Sequence, residues 1–356
     1  MNSPLVLARI NAMTGYTPGE QPKGQPVTKL NTNENPYPPS PAVVAAIRDF
    51  PFSDLRKYPP PGSDCLIQAA TQVYGVPSAR IIAGNGSDEL LTMLIRTFAG
   101  EGDAIGAMDP TYSLYTVLAE IQGCRYFSVP LRSDFSFPDA ETVAEQANEA
   151  GCKLFFITRP NAPTGNCYPV ESVRRFAQVF HGAVVVDEAY ADFAADNCLS
   201  LVDELENVLV LRTFSKSYSL AGLRVGLCFG REELIHALHK VRDSYNVDFI
   251  AQRAAAAALL DQSYHAECCA KVKATRATSV ARLRALGFDC PMSESNFLFA
   301  RPPVGQVARE LLGKLRQAGF LVRWFNLPGI DERLRISIGS DAEMDAFFAA
   351  LEGCLK

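Results

Sequence analysis

One lysine of this chain lies in a setting that suits covalent chemistry. Lys216 follows the apolar run 208–211, stands between Ser215 and Ser217, and precedes Arg224 by eight residues. The apolar run predicts a buried strand, and the polar stretch after it predicts the loop where that strand leaves the sheet. A lysine amine forms a Schiff base with an aldehyde, while hydroxyl and guanidinium groups bind phosphate. The segment is therefore suited to hold a phosphorylated aldehyde.

A glycine turn before a helical pattern supplies a candidate phosphate site. Residues 81–84 predict a strand, and the apolar positions 90, 91, 94, 95 and 98 predict a helix capped by Ser87 or Asp88. Free backbone amides at a helix N-terminus bind anions, and glycines let a phosphate approach closely. Capped helices after glycine turns are common, so this phosphate site is predicted only in combination with Lys216. The alternative for Lys216 is an ordinary solvated lysine at the end of a strand.

An acidic residue ends another apolar run. Asp187 follows residues 183–186, and its separation of 29 residues from Lys216 suits two adjacent strands joined by one connection. An aspartate at a strand end also holds magnesium in nucleotide hydrolases, but the chain contains no G-x-x-x-x-G-K-[ST] loop. A magnesium site of that kind is therefore not indicated at Asp187.

These segments together resemble the fold-type I pyridoxal-phosphate-dependent aminotransferases, and residues 212–226 most closely resemble the lysine segment of the histidinol-phosphate aminotransferases. The resemblance covers essentially the whole chain. It implies that Lys216 carries pyridoxal 5'-phosphate and moves the proton, that Asp187 keeps the pyridine nitrogen protonated, and that Tyr190 donates to the ring 3-oxygen. It assigns the cofactor phosphate to the following groups: Ser215, Arg224 and the amides of Ser87 and Asp88.

One loop departs from the pattern of that family. Residues 158–165 resemble its P-N-x-P-T-G loop, in which the residue before P-T-G is usually an asparagine that also binds the ring 3-oxygen. This chain has Ala162 there and Asn161 one place earlier. Either Asn161 takes over the contact through a changed loop, or Tyr190 makes it alone. We expect Asn161 to make it.

Two tyrosines complete the cofactor site that the resemblance implies. Tyr112, in the segment 109–115 after a predicted strand, would stack on the pyridine ring, although an aromatic residue there is ordinarily part of the core. Tyr58, in the segment 57–62, would reach the cofactor phosphate of the other subunit. The second assignment implies a homodimer with shared active sites.

Two arginines interrupt apolar strands of the C-terminal part. Arg323 and Arg335 lie in the segments 321–325 and 333–338, where a charge is costly unless an anion or an internal ion pair meets it. In the histidinol-phosphate family the matching arginines face the substrate phosphate, and a tyrosine near the N-terminus, here Tyr16, closes over it. The resemblance thus implies a phosphorylated amine and a 2-oxo acid as substrates.

Apolar runs alternate with helical patterns from about residue 41 to 230. Strands that are apolar on both faces and separated by helices predict an α/β fold whose mostly parallel sheet lies between helices. Ligands bind beyond the carboxyl ends of such strands. We expect an N-terminal arm at 1–40, a large cofactor-binding domain at 41–245 and a smaller C-terminal α/β domain at 246–356.

The bulk composition excludes several classes of protein. The chain of 356 residues has a net charge of −5 without a block of like charges, which argues against nucleic-acid binding. Its longest apolar run, 254–260, is far shorter than the roughly 20 residues that span a bilayer. Ten cysteines form no C-x-x-C pair and accompany only four histidines, so we expect no metal site and reduced thiols in the cytoplasm.

Three alternatives stay open at this point. An aromatic amino-acid aminotransferase would use Arg335 for a carboxylate, and a phosphothreonine-type decarboxylase would share the cofactor motifs. A cofactor-binding regulator would need an attached DNA-binding domain, for which the chain has neither spare length nor basic charge. We predict transamination between histidinol phosphate and 2-oxoglutarate.

Overall fold

The computed structural model describes residues 3–21 and 27–356. Its helices are α1 (Ala8–Ala12), α2 (Pro41–Arg48), α3 (Asp64–Tyr74), α4 (Gly86–Phe98), α5 (Leu114–Gln122), α6 (Ala140–Glu149), α7 (Val170–Val179), α8 (Leu201–Glu204), α9 (Glu232–Val241), α10 (Phe249–Leu260), α11 (Gln262–Ala285), α12 (Ala308–Gln317) and α13 (Asp341–Leu355). Its strands are β1 (Thr28–Lys29), β2 (Ile81–Gly84), β3 (Ala104–Asp109), β4 (Arg125–Pro130), β5 (Cys152–Thr158), β6 (Ala183–Asp187), β7 (Val208–Thr213), β8 (Gly226–Phe229), β9 (Phe297–Ala300), β10 (Phe320–Leu321), β11 (Arg323–Trp324) and β12 (Leu334–Ser337).

A seven-stranded sheet lies at the centre of the larger part. Its order is β2-β8-β7-β6-β5-β3-β4, and β8 runs in the opposite direction to the other six strands. The inner strands are apolar on both faces because helices cover both sides, as is usual for parallel sheets. The predicted mostly parallel α/β sheet is confirmed.

Alternate residues of each strand enter two different hydrophobic layers. On β5, Phe155 and Ile157 pack into the layer with α3, α7 and α10, whereas Leu154 and Phe156 pack into the layer with α4, α5 and α9. The two-residue period of a strand produces this division. The sheet is thereby fixed from both sides, and the carboxyl ends of its parallel strands are left to carry polar loops.

The C-terminal part has its own core and a smaller sheet. Strands β11, β12 and β9 form an antiparallel sheet, and β1 pairs in parallel with β10. Leu30, which follows β1, packs into the core formed with α11, α12 and α13. The segment 321–325, predicted as one strand, is divided between β10 and β11, which pair with different neighbours.

The packing of α10 bears on the domain boundary predicted at 245/246. Ala251, Ala254 and Ala255 of α10 are fully buried in the core of the large sheet, against α2 and α3. The buried apolar residues of the later helices, from Cys269 of α11 onward, belong to the core of the C-terminal part. We therefore propose that the division lies within α11 rather than before α10. No helix among the described residues is long and apolar enough to cross a membrane.

Candidate active site

The polar motifs meet at the carboxyl edge of the central sheet. Thr158 at the end of β5 lies beside Asp187 at the end of β6, and Asp187 is paired in register with Leu211 of β7. Lys216 follows the end of β7 by three residues. The parallel register therefore brings the three segments singled out in the sequence to one place, as the adjacency of Asp187 and Lys216 predicts.

The amine of Lys216 is held over the site by the N-terminal segment. Its Nζ donates to the carbonyl oxygen of Thr32 at 3.1 Å and lies 5.8 Å from the centroid of the Tyr190 ring. The lysine loop is closed by the amide of Leu220, which donates to the carbonyl oxygen of Phe214 at 2.9 Å. A primary amine at this edge of the sheet is suited to form a Schiff base with an aldehyde, so Lys216 is a candidate for covalent attachment.

Asp187 is a buried carboxylate with two donors. It is 4% exposed, and it accepts from the hydroxyl of Tyr115 at 2.7 Å and from the amide of Ala189 at 3.2 Å. Burial raises the pKa of Asp187, against the lowering effect of the Tyr115 hydrogen bond. A cationic ring nitrogen beside Asp187 would favour its ionised form, so the site is suited to a pyridinium group.

The N-terminus of α4 forms an anion site with the lysine loop. The helix begins at Gly86, one residue before the predicted cap, and Asn85 provides no side-chain cap bond. Arg224 contacts both the Ser215 hydroxyl at 3.3 Å and the Asp88 carboxylate at 3.0 Å. A Cβ added to Gly86, whose φ is +80°, would lie 2.5 Å from the guanidinium of Arg224, so only glycine fits.

Tyr112 borders this anion site. Its hydroxyl donates to the Asp88 carboxylate at 3.4 Å, and its ring meets the ring of Tyr16 edge-on at 6.1 Å between centroids. Burial, together with the charge of Asp88, raises the pKa of Tyr112 far above that of a free phenol, so it stays neutral. The structure thus brings Tyr16 of the N-terminal arm and Tyr112 of the large sheet to one side of the site.

The predicted role of Asn161 is opposed by its contacts. Its Nδ2 donates to the carbonyl oxygen of Pro110 at 2.9 Å and to Thr164 Oγ1 at 2.7 Å, while its Oδ1 accepts from Thr111 Oγ1 at 3.1 Å. Both amide hydrogens are therefore used within the loop, and the side chain is completely buried. Asn161 fixes the loop, and the structure offers no free donor from it to a ring oxygen.

Arg335 and Arg323 lie side by side without a carboxylate partner among the described residues. They are cross-strand partners on β11 and β12. Arg335 donates to the carbonyl oxygen of Asn31 at 2.9 Å, and its buried Nε meets no acceptor in the part of the chain that the structure describes. Burial, aided by the charge of Arg323, lowers the pKa of Arg335. Arg323 donates to the carbonyl oxygens of Thr17 and Pro18 at 3.3 and 3.4 Å, next to Tyr16.

Tyr58 lies away from the core, on the surface of the chain. It is 77% exposed, and its ring stacks on that of Tyr245 with centroids 4.4 Å apart. This position leaves Tyr58 free to reach a second subunit, as the resemblance implies.

Comparison with known proteins assigns this arrangement to a family. Residues 25–351 match the family described as Aminotransferase class I and II. Histidinol-phosphate aminotransferases from Citrifermentans bemidjiense and Syntrophotalea carbinolica are 48% and 47% identical to the chain, each over 96% of it and over 96% and 97% of the relatives. The chain belongs to the histidinol-phosphate aminotransferases, within the class I and II family.

A solved structure agrees with this membership. Histidinol-phosphate aminotransferase from Sinorhizobium meliloti, determined in complex with pyridoxal-5'-phosphate, superposes with a TM-score of 0.91 at 28% identity, covering 99% of this chain and 98% of that one. The predicted fold type, enzyme class and cofactor are confirmed. The enzyme is a pyridoxal-phosphate-dependent aminotransferase, and the amine, buried carboxylate and anion site described above provide what that cofactor requires.

Several residues of the site were not predicted from the sequence. Tyr115 binds Asp187, but three residues after Tyr112 it was part of a pattern that equally predicts a core helix face. Asn35 donates to the carbonyl oxygen of Ser217 at 3.0 Å, and Asn33 donates to the hydroxyl of Tyr190 at 3.0 Å. Asparagine-rich segments predict loops first, so their contacts 157 and more residues away could not be inferred.

A buried ion cluster beneath the lysine loop was missed as well. Arg212 pairs with Asp192 and with Glu188, each at 2.8 Å. Asp192 also accepts from the Ser217 hydroxyl and lies 3.4 Å from His265 Nε2. Burial opposes its ionisation, but His265, Arg212 and Ser217 hold the pKa of Asp192 below the ordinary range. The cluster joins the lysine loop to the segment that carries Tyr190.

Proposed function

We propose that the enzyme transfers the amino group between histidinol phosphate and 2-oxoglutarate, with imidazole-acetol phosphate and glutamate as the other pair. The support comes from the relatives of 43–48% identity that bear this activity in their names. The structural observation that most supports the proposal is the Arg323–Arg335 pair, a double positive charge in which the buried Nε of Arg335 meets no acceptor among residues 3–21 and 27–356. Such a pair fits a phosphate dianion better than a carboxylate.

The cofactor residues are assigned from their positions. Pyridoxal phosphate, when bound, supplies a ring that withdraws electrons from the substrate Cα. Asp187 holds the ring nitrogen in its protonated form, since a buried carboxylate is stabilised by a cation in contact with it. Tyr190 donates to the ring 3-oxygen, and Tyr112 stacks on the ring.

Lys216 has two tasks in this proposal. It would hold the cofactor by its aldehyde between turnovers, and its free amine would move a proton between the Cα of the substrate and the C4′ atom of the cofactor. The carbonyl oxygen of Thr32 at 3.1 Å orients the displaced amine. An amine within reach of both carbons is required, and the closed loop 214–220 keeps it there.

The phosphate of the cofactor is assigned to the N-terminus of α4. The amides of Ser87 and Asp88 point outward at the helix start, and the Ser215 hydroxyl and the Arg224 guanidinium stand beside them. The helix dipole and the guanidinium together favour a dianion. Arg224 is held in place by Asp88, so the contact surface exists before the cofactor arrives.

The substrate phosphate is assigned to Arg335 and Arg323, and Tyr16 covers it. Arg323 binds the arm through two backbone carbonyls directly after Tyr16, so one side chain would contact both the substrate phosphate and the covering arm. Because Tyr16 also meets Tyr112, the arm closes the space between the two sheets and limits the entry of water.

We propose further that the enzyme is a homodimer in the cytoplasm. Phe52, Leu55, Tyr58 and Tyr245 expose large apolar side chains in one region, and a second subunit would cover them while Tyr58 reached its cofactor phosphate. All ten cysteines are free thiols, which suits a reducing compartment.

The substrate assignment is tested with and without the phosphate. Steady-state kcat/KM with 2-oxoglutarate is compared for histidinol phosphate and for histidinol, which differ only in that group. We expect histidinol phosphate to be better by about 100-fold or more, since charge-assisted bonds to two arginines are lost with the phosphate. Equal values would contradict the assignment while leaving the enzyme class unchanged.

A further inference from the structure

The loop that usually supplies an amide donor to the cofactor ring offers none here. Ala162 stands at the position of that amide, and both Nδ2 hydrogens of the neighbouring Asn161 are used by Pro110 and Thr164. Tyr190 is left as the donor to the ring 3-oxygen, an assignment that belongs to the proposed function. The question is what makes one hydroxyl sufficient.

Asn33 is placed to act on that hydroxyl. It is 1% exposed, and its Nδ2 donates to Tyr190 Oη at 3.0 Å. Its Oδ1 accepts from Ser337 Oγ at 3.0 Å, and its backbone amide donates to the same Ser337 oxygen at 2.9 Å. The Ser337 hydroxyl proton is thus directed at Oδ1, which orients the amide with its NH₂ towards Tyr190.

The backbone at Asn33 is also specialised. Its φ is +57°, in the left-handed region that non-glycine residues rarely adopt and that asparagine tolerates best. Its carbonyl oxygen accepts from Asn296 Nδ2 at 2.9 Å, so the conformation is held from both sides of the peptide. A buried residue held in this conformation turns its side chain from the N-terminal segment into the site.

We propose that Asn33 is a positioning residue that acts through Tyr190 and compensates for the missing amide at position 162. Because Tyr190 Oη accepts from Asn33, its own proton is free to be donated to the ring oxygen. A hydroxyl that accepts one hydrogen bond also becomes a stronger donor in a second. The ring of Tyr190 packs edge-on against the ring of Phe297, with centroids 5.1 Å apart. With the ring held there, the direction of the hydroxyl proton is the part of Tyr190 that can still change.

The test measures the pH midpoint of the visible absorption band of the cofactor bound to the enzyme. When a donor to the ring 3-oxygen is lost, the oxygen carries more negative charge and holds the proton next to Lys216 more tightly, so the midpoint rises. Asn33→Gly removes the side chain and still permits the positive φ. We expect Tyr190→Phe to raise the midpoint by about one pH unit and Asn33→Gly by about half a unit.

The double variant, with both Asn33→Gly and Tyr190→Phe, separates the role of Asn33 from that of Tyr190. With Asn33 acting through Tyr190, Asn33→Gly adds nothing in the Tyr190→Phe background. A rise with Tyr190→Phe but none with Asn33→Gly overturns the inference and leaves the Tyr190 assignment intact. No rise with Tyr190→Phe overturns both. Additive rises mean that Asn33 acts by another route, which also contradicts the inference.

A matched control variant and a second test variant complete the experiment. Asn31 is a buried asparagine of the same segment, but its Nδ2 binds the carbonyl oxygen of Glu20, so Asn31→Ala should leave the midpoint unchanged. Ser337→Ala removes the hydroxyl that orients the Asn33 amide and should also raise the midpoint, by less than Asn33→Gly. Thermal unfolding of the apoenzyme shows whether Asn33→Gly folds. If it does not fold, Ser337→Ala becomes the deciding variant. An unchanged midpoint in Ser337→Ala then contradicts the inference.

Discussion

Arg323 and Arg335 face each other across the antiparallel strands β11 and β12, and among the described residues neither has a carboxylate partner. Adjacent unpaired guanidiniums in a partly buried place are unfavourable unless an anion joins them. The arrangement is therefore explained most simply by the dianionic part of the substrate.

The Arg323 side chain should matter more for a phosphorylated donor than for an aromatic one. Arg323→Ala removes one of the two charges that we assign to the phosphate and the two hydrogen bonds to the arm carbonyls. We expect kcat/KM for histidinol phosphate to fall at least about tenfold, and that for phenylalanine to fall less. Arg301→Ala, at an exposed surface ion pair, is the control and should change neither value. Equal losses for both donors would show that Arg323 serves the arm alone.

Removal of the Lys216 amine should abolish both cofactor attachment and turnover. Lys216→Ala leaves the carbonyl oxygen of Thr32 without its donor and the reaction without its base. We expect the visible band of the covalently held cofactor to disappear and kcat to fall by about 10³-fold or more, as measured by absorption and steady-state assays. Lys271→Ala, which removes an exposed lysine paired with Glu267, should retain both. A Lys216→Ala enzyme with wild-type turnover would refute this role.

The shape of the Arg224 side chain, and not only its charge, should determine cofactor affinity. The guanidinium spans Ser215 and Asp88 with two different nitrogens, at 3.3 and 3.0 Å, and the single nitrogen of an ammonium does not reproduce this fork. Arg224→Lys should raise the dissociation constant of pyridoxal phosphate about tenfold, by equilibrium titration of the apoenzyme. The surface variant Arg175→Lys is the comparison. Unchanged affinity in Arg224→Lys would remove this arginine from the phosphate site.

The cluster around Asp192 should make the stability of the apoenzyme depend on pH. The folded pKa of Asp192 is depressed, so its contribution is fully present above the unfolded value of about 3.9 and is lost as the pH falls towards the folded pKa. Asp192→Asn should lower the free energy of unfolding by about 2 kcal/mol at pH 7, and the difference should shrink below about pH 4. Urea unfolding from pH 3 to pH 7 measures it, and a difference independent of pH would contradict this account.

The sequence was enough to predict the succession of strands and helices along the chain and the polar residues at the ends of the strands. Alternating apolar runs and helices predict parallel neighbours, and that rule placed Asp187 beside Lys216. Sequence alone could not place Asn33, because its partners Tyr190 and Ser337 are 157 and 304 residues distant and are brought together only by packing. The contacts that oppose the role expected of Asn161 could not be predicted for the same reason, since local spacing does not reveal which acceptors a buried amide binds.

The choice of amino donor tests the central claim most directly. With 2-oxoglutarate as acceptor, kcat/KM is measured for histidinol phosphate and for phenylalanine on the same preparation. Two guanidiniums matched to a dianion predict that histidinol phosphate is preferred by at least about tenfold, which corresponds to about 1.4 kcal/mol in the transition state. A preference for phenylalanine would contradict the account and identify the enzyme as an aromatic aminotransferase with the same cofactor chemistry.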